Sequence, residues 1–223
     1  MADRRRVLCT LATGPHRELL EIARPTLVRY ALRHGYDLVA RTDTHRLGGR
    51  PATWGKVPLA RELLDSYDVV VWIDADAVIV DPRSDIVDTL RDRRPMHVVS
   101  HQIDGVAVPN SGVFVMNRCA ESIRLLERIW HETAYVHHRW WENAALIAVV
   151  GGDGDVGLTT PRSRRLASRV LGALDPRWNS IPACPVDDPA IVHLAGMPHD
   201  ARRAAMLDLV ARSSTGSLAA QPA

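Results

Sequence analysis

Asp68-Val69-Val70-Val71-Trp72-Ile73-Asp74-Ala75-Asp76 is the stretch on which the fold turns. Five apolar residues in succession, mostly β-branched, present no polar face to water. Such a run suits a central parallel strand covered on both sides better than a half-exposed antiparallel one. Two acids close it. Charges at the end of a buried strand need a compensating partner, and in α/β sheets ligands gather at the carboxyl ends of strands. Side chains alternate along a strand, so Asp74 and Asp76 point the same way if the extended geometry persists. Converging carboxylates repel unless a cation lies between them, and carboxylate ligands favour Mg or Mn. The plain alternative is a turn or helix-capping acid, because Asp-x-Asp on its own is a common sequence.

Outward from this run, strand and helix signals alternate. Residues 5–12 read as a strand, 16–34 as a helix that tolerates Pro25, 36–40 as a second strand, and 57–66 as a helix leading into the acidic strand. Alternation of this kind predicts an α/β domain with a mixed, mostly parallel central sheet. Beyond it, residues 112–117 read as a strand, 121–135 and 140–150 as helices, and 151–165 as a mobile loop rich in Gly, Thr, Asp and Arg. Residues 166–174 and 190–194 read as strands and 200–211 as a helix. Residues 1–212 are expected to form one domain, with 213–223 a flexible tail of small polar residues.

The 223 residues, 46% of them hydrophobic, are enough for one well-filled core. A formal net charge of +2 lacks the concentrated basic face of a nucleic-acid protein. Every basic residue except Lys56 is Arg, and with the abundant Ala this composition indicates a GC-rich bacterial genome. Cys9, Cys119 and Cys184 are odd in number and widely spaced, which argues against a disulfide framework or a zinc site. Val7 to Ala12 is too short for a signal-peptide core or a bilayer span. A soluble cytoplasmic protein with no membrane span is expected, and a homodimer is left open.

Lys56 stands out in a chain that otherwise uses Arg. Lysine is a compact point charge and arginine a planar fork, so a site needing a small cation near a phosphate or sugar oxygen would exclude Arg. The alternative is a chance survivor on a helix surface.

Several segments occur in the order of one known family. Trp54-Gly55-Lys56-Val57-Pro58-Leu59 and Tyr67 through Ala77 resemble the galactosyl/mannosyl/xylosyltransferases of the fungal and plant Golgi. Asn110-Ser111-Gly112-Val113-Phe114 resembles their Asn-Ser/Thr-Gly-x-Phe strand, and Trp140-Trp141-Glu142-Asn143-Ala144-Ala145-Leu146 their acid-amide helix start. Asp175-Pro176-Arg177-Trp178-Asn179 resembles their late Trp-Asn segment, and His193-Leu194-Ala195-Gly196 their closing His-x-x-Gly. Each match is short, and their joint order over residues 5–196 is what makes them specific.

The resemblance implies a single-domain GT-A, Rossmann-like fold and a metal-dependent glycosyltransferase. Such an enzyme moves a hexose or pentose from a nucleotide-diphosphate sugar, UDP-sugar favoured, to an acceptor hydroxyl with retention. It places Asp74, Asp76 and His193 on the metal, and imidazole in the ligand set favours Mn over Mg. Donor contacts fall to Thr10, Leu11, Ala12, Lys56, Asp74, Ala75, Asp76, Asn110, Ser111, Gly112 and Gly196. Glu142, Asn143 and Asp74 fall at the reacting centre, and Trp178 and Asn179 on the acceptor. Asn143 is shorter than the family's usual amide by one methylene, which shifts the role at the anomeric carbon toward Glu142. A front-face reaction needs no enzyme nucleophile, whereas a double displacement needs a carboxylate below the sugar; both remain open. Trp140 and Trp141 are expected in the core rather than on a sugar. The family's Golgi members are membrane-anchored, and without an apolar anchor a small-molecule or glycan acceptor is expected here. Two alternatives share the acidic motif: a haloacid-dehalogenase-type phosphatase using Asp74 and Asp76, and a non-catalytic sugar-nucleotide binder.

Overall fold

A computed structural model describes residues 4–43 and 47–214. Its main sheet has six strands in the order β2-β1-β3-β6-β5-β7. These are β1 (Arg6–Leu11), β2 (Asp37–Arg41), β3 (Val69–Ile73), β5 (Met96–Ile103), β6 (Val106–Asn117) and β7 (Leu171–Ala173). Pairing is parallel between β1 and β2, β1 and β3, and β5 and β7, while β6 runs antiparallel to both its neighbours. The sheet is therefore mixed and mostly parallel, as the sequence predicts.

The continuous apolar run is β3, and all five of its residues are buried. Val70 and Trp72 enter the layer filled by α2 (Lys56–Leu63), α3 (Ala120–His131) and α4 (Trp141–Val149), with Phe114 and Leu146 among its members. Val69, Val71 and Ile73 enter the opposite layer with Leu20 and Leu27 of α1 (His16–His34), and with Trp178. Alternating side chains thus fill both faces, which is why no polar residue interrupts the strand.

A second sheet of two strands pairs β4 (Ala77–Ile79) with β8 (Ile191–His193), setting Ala77 opposite His193. Beneath it, Leu19 and Ala23 of α1, Val78, Leu194, and Met206 and Leu209 of α6 (His199–Ser214) form a third apolar cluster. This cluster ties the end of the described chain back to the segment that follows the acidic pair. Residues 213 and 214 close α6, and the rest of the expected tail lies outside the described residues.

Three expectations are corrected. The strand expected at 112–117 begins at Val106 and forms a hairpin with β5, which was not anticipated. Its turn is Asp104-Gly105, with φ of 50° and 78°, a dipeptide suited to positive φ at both positions of a hairpin turn. The loop expected through Arg165 gives way to α5 (Pro161–Ala167), capped by a reciprocal Thr160–Ser163 box with Pro at its start. That helix also takes residues 166 and 167 of the strand expected at 166–174, of which only Leu171–Ala173 forms a strand. The Gly-rich stretch before it is tied to the sheet, since the Leu158 N–H donates to the Ala107 carbonyl at 2.8 Å.

Candidate metal centre

The acidic pair lies where β3 ends. The Asp74 N–H donates to the Gly112 carbonyl at 2.8 Å, extending the β3–β6 pairing by one residue. The chain then turns into β4, and the Ala77 N–H closes back on the Asp74 carbonyl at 3.0 Å. This turn sets Asp74 and Asp76 on one side, and β8 brings His193 against them. Nε2 of His193 stands 3.4 Å from Asp76 Oδ1 and 3.8 Å from Asp74 Oδ2. One ligand atom from each of the three residues fits within 4.8 Å of the others. Two carboxylate oxygens and an imidazole nitrogen form a donor set suited to a divalent transition ion such as Mn. Ligand atoms on metal bonds of about 2.1 Å stand roughly 3 Å apart, so the three residues would draw together to hold an ion.

Gly112 exists for this ring. A Cβ there would lie 2.1 Å from Cε1 and 2.4 Å from Nδ1 of His193. Only hydrogen fits, so the imidazole packs directly on the β6 backbone.

Around the triad, each charge has a counter-charge. The Lys56 ammonium is buried and lies 2.8 Å from Asp74 Oδ1 and 2.9 Å from Glu142 Oε1, and it donates to the Ser111 carbonyl at 3.3 Å. Burial alone would lower its pKa, but Asp74 and Glu142 outweigh burial and hold it raised, so the cation persists. The surface-helix alternative for Lys56 is thereby excluded. Burial raises the Glu142 pKa, with Lys56 opposing and Asp74 reinforcing the shift. Burial likewise pushes Asp76 upward, but His193 and Arg202 overcome it and hold its carboxyl well below the usual range. Arg202, on α6, meets Asp76 Oδ2 at 3.0 Å. His193 is raised by Asp76 and Asp74 against the opposing effect of burial.

Arg202 and Trp72 are contacts the sequence reading missed. Trp72 Nε1 donates to Asp74 Oδ1 at 2.7 Å. Its signal was available, because a residue two positions before Asp74 on a strand shares its face. Arg202 carried none, being one arginine among many on a helix remote in sequence.

The other expected site residues fall into two groups. Ser111 and Glu142 join the centre, and Glu142 Oε2 is buried with no hydrogen-bond partner. Thr10 and Ala12 are buried at the end of β1, and Thr10 Oγ1 also lacks a partner. Leu11 is partly exposed beside them, and Gly196 is exposed with φ of 77°. Ala75 is buried in the core beside β3, so only its backbone can meet a ligand.

The remaining assignments need correction. Asn143, expected at the reacting centre, commits its amide to the β6 backbone. Its Oδ1 accepts from the Ser111 N–H at 2.8 Å and its Nδ2 donates to the Pro109 carbonyl at 3.1 Å, so both ends of the amide hold β6. Trp178 is completely buried among core residues, and Asn179 is completely buried behind His193. Neither can meet an acceptor, because Trp178 packs inside the second core layer and Asn179 is enclosed with its amide bonded to Asn110 and His193. Trp141, expected in the core, is 40% exposed.

Comparison with known proteins agrees with this architecture. Residues 12–103 match the model of the galactosyl transferase GMA12/MNN10 family. No curated protein matches the chain. A glycosyltransferase involved in the glycosylation of the major capsid of PBCV-1 is similar in structure, with 17% identity, a TM-score of 0.64, and coverage of 90% of this chain and 98% of that one. Galactosyltransferase LgtC, solved with donor and acceptor sugar analogs, aligns at 13% identity and a TM-score of 0.61, covering 96% of this chain and 97% of its own. Glycosyltransferase GlyE of Streptococcus pneumoniae TIGR4 aligns at 14% identity and a TM-score of 0.54, over 97% of this chain and 67% of that one. At these identities the likeness is one of fold. The fold is GT-A and not that of a haloacid dehalogenase, and the family match together with that fold supports glycosyltransferase activity.

Proposed function

We propose that this chain, resembling the GMA12/MNN10 galactosyl transferases over residues 12–103 and folded as a GT-A enzyme, is a metal-dependent transferase. It moves a hexose or pentose from a nucleotide-diphosphate sugar, UDP-sugar favoured, to an acceptor hydroxyl, with retention. The observation that carries the reading is the convergence of Asp74, Asp76 and His193 where β3 ends, beside the buried Lys56–Glu142 pair.

Asp74, Asp76 and His193 would hold the Mn ion, which would supply positive charge to the diphosphate as a leaving group. Lys56 holds Asp74 and Glu142 in place and offers a fixed positive charge at the donor sugar. Glu142 commits Oε1 to Lys56 and leaves Oε2 for the substrate. In a front-face reaction the acceptor oxygen bonds to the anomeric carbon as its bond to the diphosphate breaks. The acceptor proton then passes to the departing phosphate oxygen, and the Glu142 carboxylate stabilises the positive charge on the ring. The backbone at the end of β1, beside the partly exposed Leu11, suits the nucleoside.

With Trp178 and Asn179 buried, the acceptor is assigned to Trp141. This residue opens α4 with φ of 44°, a left-handed conformation that costs a bulky residue on the order of 1–3 kcal/mol. The turn drives Glu142 inward and leaves the indole exposed next to it, as a stacking platform for a sugar ring. Trp141→Ala is expected to raise the acceptor KM about tenfold while leaving donor binding unchanged; an unchanged acceptor KM would remove Trp141 from the site.

A thermal-shift screen of UDP-, GDP- and TDP-sugars with and without Mn tests the main reading, because ligands of the folded state raise its melting temperature. A nucleotide-sugar shift that needs Mn and disappears in Asp76→Ala is expected. No shift with any nucleotide would sink the proposal. A shift without transfer or slow donor hydrolysis would leave a non-catalytic binder instead.

A further inference from the structure

The one imidazole of the triad has two ring nitrogens, and only one of them can serve a metal while the other carries a proton. In neutral histidine, the tautomer is set by the hydrogen bond the second nitrogen makes. In this chain Nδ1 of His193 lies 3.0 Å from Asn179 Oδ1. An amide oxygen only accepts, so the proton belongs on Nδ1. The amide could in principle be turned over, offering its NH2 instead, but its other end fixes it. Asn179 Nδ2 donates to Asn110 Oδ1 at 3.0 Å, and that same oxygen accepts the Gly112 N–H at 2.8 Å. A backbone N–H cannot be reversed, so it fixes Asn110 Oδ1 as an acceptor. Asn110 then fixes Asn179, and Asn179 fixes the ring. The relay begins at Gly112, the residue whose missing side chain makes room for the same imidazole.

Burial makes this chain of bonds decisive. Asn179 is fully buried and His193 is 4% exposed, so water does not compete for either nitrogen. The neighbouring 3-10 turn, Pro176–Asn179, is pinned by an Asp175 cap and by Trp178 in the core, so the amide cannot swing away.

We propose that Asn179, oriented by Asn110, is a positioning residue for the metal centre: it holds the proton of neutral His193 on Nδ1 and keeps the Nε2 lone pair facing Asp74 and Asp76. This rests on the reading of Asp74, Asp76 and His193 as a metal site. It replaces the acceptor role expected for Asn179 and gives Asn110 a structural task in addition to any donor contact. Partners behind a metal-bound histidine typically change metal affinity about 10–100-fold when removed.

The test has two parts. First, the ring nitrogen chemical shifts of His193 in the metal-free wild-type protein, recorded by NMR above the pH at which the imidazole titrates, report the tautomer without any variant. A protonated Nδ1 with a bare Nε2 is expected; a protonated Nε2 would overturn the proposal. Second, Mn binding is titrated by electron paramagnetic resonance in wild type, Asn179→Leu, Asn179→Asp and His193→Ala. Asn179→Leu keeps the volume but cannot accept, and is expected to weaken Mn about 10–100-fold and to mix the tautomers. Asn179→Asp still accepts from Nδ1 and is expected to keep the wild-type tautomer and most of the affinity. Wild-type Mn affinity in Asn179→Leu, with binding lost in His193→Ala, would overturn the proposal. Absence of Mn binding in wild type would instead sink the metal-site reading, with the tautomer result standing separately. Should Asn179→Leu fail to fold, the wild-type shifts and Asn179→Asp still decide.

Discussion

At residue 112 a single hydrogen atom separates a working site from a blocked one. The His193 ring occupies the space a Cβ would need, so the ring or the β6 backbone would have to shift to admit one. Gly112→Ala is expected to push the imidazole off its ligand position, weakening Mn binding at least tenfold and costing about 1–3 kcal/mol of stability through overpacking. Isothermal titration with Mn and a denaturant melt check both; unchanged metal affinity would show that the ring can move freely. Lys56 is a second case in which size matters. It reaches two carboxylates and a backbone carbonyl from a fully enclosed position. Its identity in a chain of arginines was a legible clue, because a compact ammonium and a planar guanidinium suit different sites. The burial of Trp178 and Asn179 was not legible. A tryptophan followed by a polar residue reads as a surface ligand patch, and nothing local tells that both lie behind a histidine from another segment.

Among the elements, α5 shows why local signals succeed or fail. The Thr160-Pro161-x-Ser163 start is a complete capping device, in which Thr160 Oγ1 accepts the Ser163 N–H at 3.0 Å and the Ser163 hydroxyl accepts the Thr160 N–H at 3.1 Å. It was hidden behind four glycines between residues 151 and 157 that suggested a loop. Thr160→Ala is expected to cost about 1 kcal/mol. Amide exchange should accelerate across Pro161–Ala167 with the β3 amides unaffected; uniform acceleration would mean that α5 does not open independently. The β5–β6 hairpin was missed for another reason. Its Asp104-Gly105 turn is a strong hairpin dipeptide, but β6 contains Pro109, and its pairing with β5 shifts register between Val98 and Val99 of β5, which breaks the regular alternation. The strand β3, by contrast, was fully readable, because burial on both faces leaves its mark on every residue.

Across the whole molecule, one buried histidine contributes to how stability responds to acid. His101, on β5, is buried, and burial followed by repulsion from His193 lowers its pKa from 6.5 to about 4. The unfolded chain therefore takes up this proton first. The stability contribution is fully present above pH 6.5 and is lost as pH falls through the window toward 4. After allowance for partial solvent screening, the loss amounts to about 2 kcal/mol. His101→Leu is expected to flatten the stability profile over that window in urea melts; a profile parallel to wild type would show that His101 does not contribute. The absence among the described residues of any helix long and apolar enough to cross a membrane belongs at this scale too.

The pairing of β4 with β8 has a temporal consequence. It joins Ala77 to His193 across most of the described chain, and contacts so distant in sequence are slow to form because the intervening loop must close first. The six-stranded sheet can collapse around β1 and β3 from nearby segments, but His193 joins Asp74 and Asp76 only when β8 docks and α6 covers it. On a ribosome, the protein would therefore acquire its architecture before its chemistry. A polypeptide halted short of residue 193 would carry the two acids as an unfinished, silent pair.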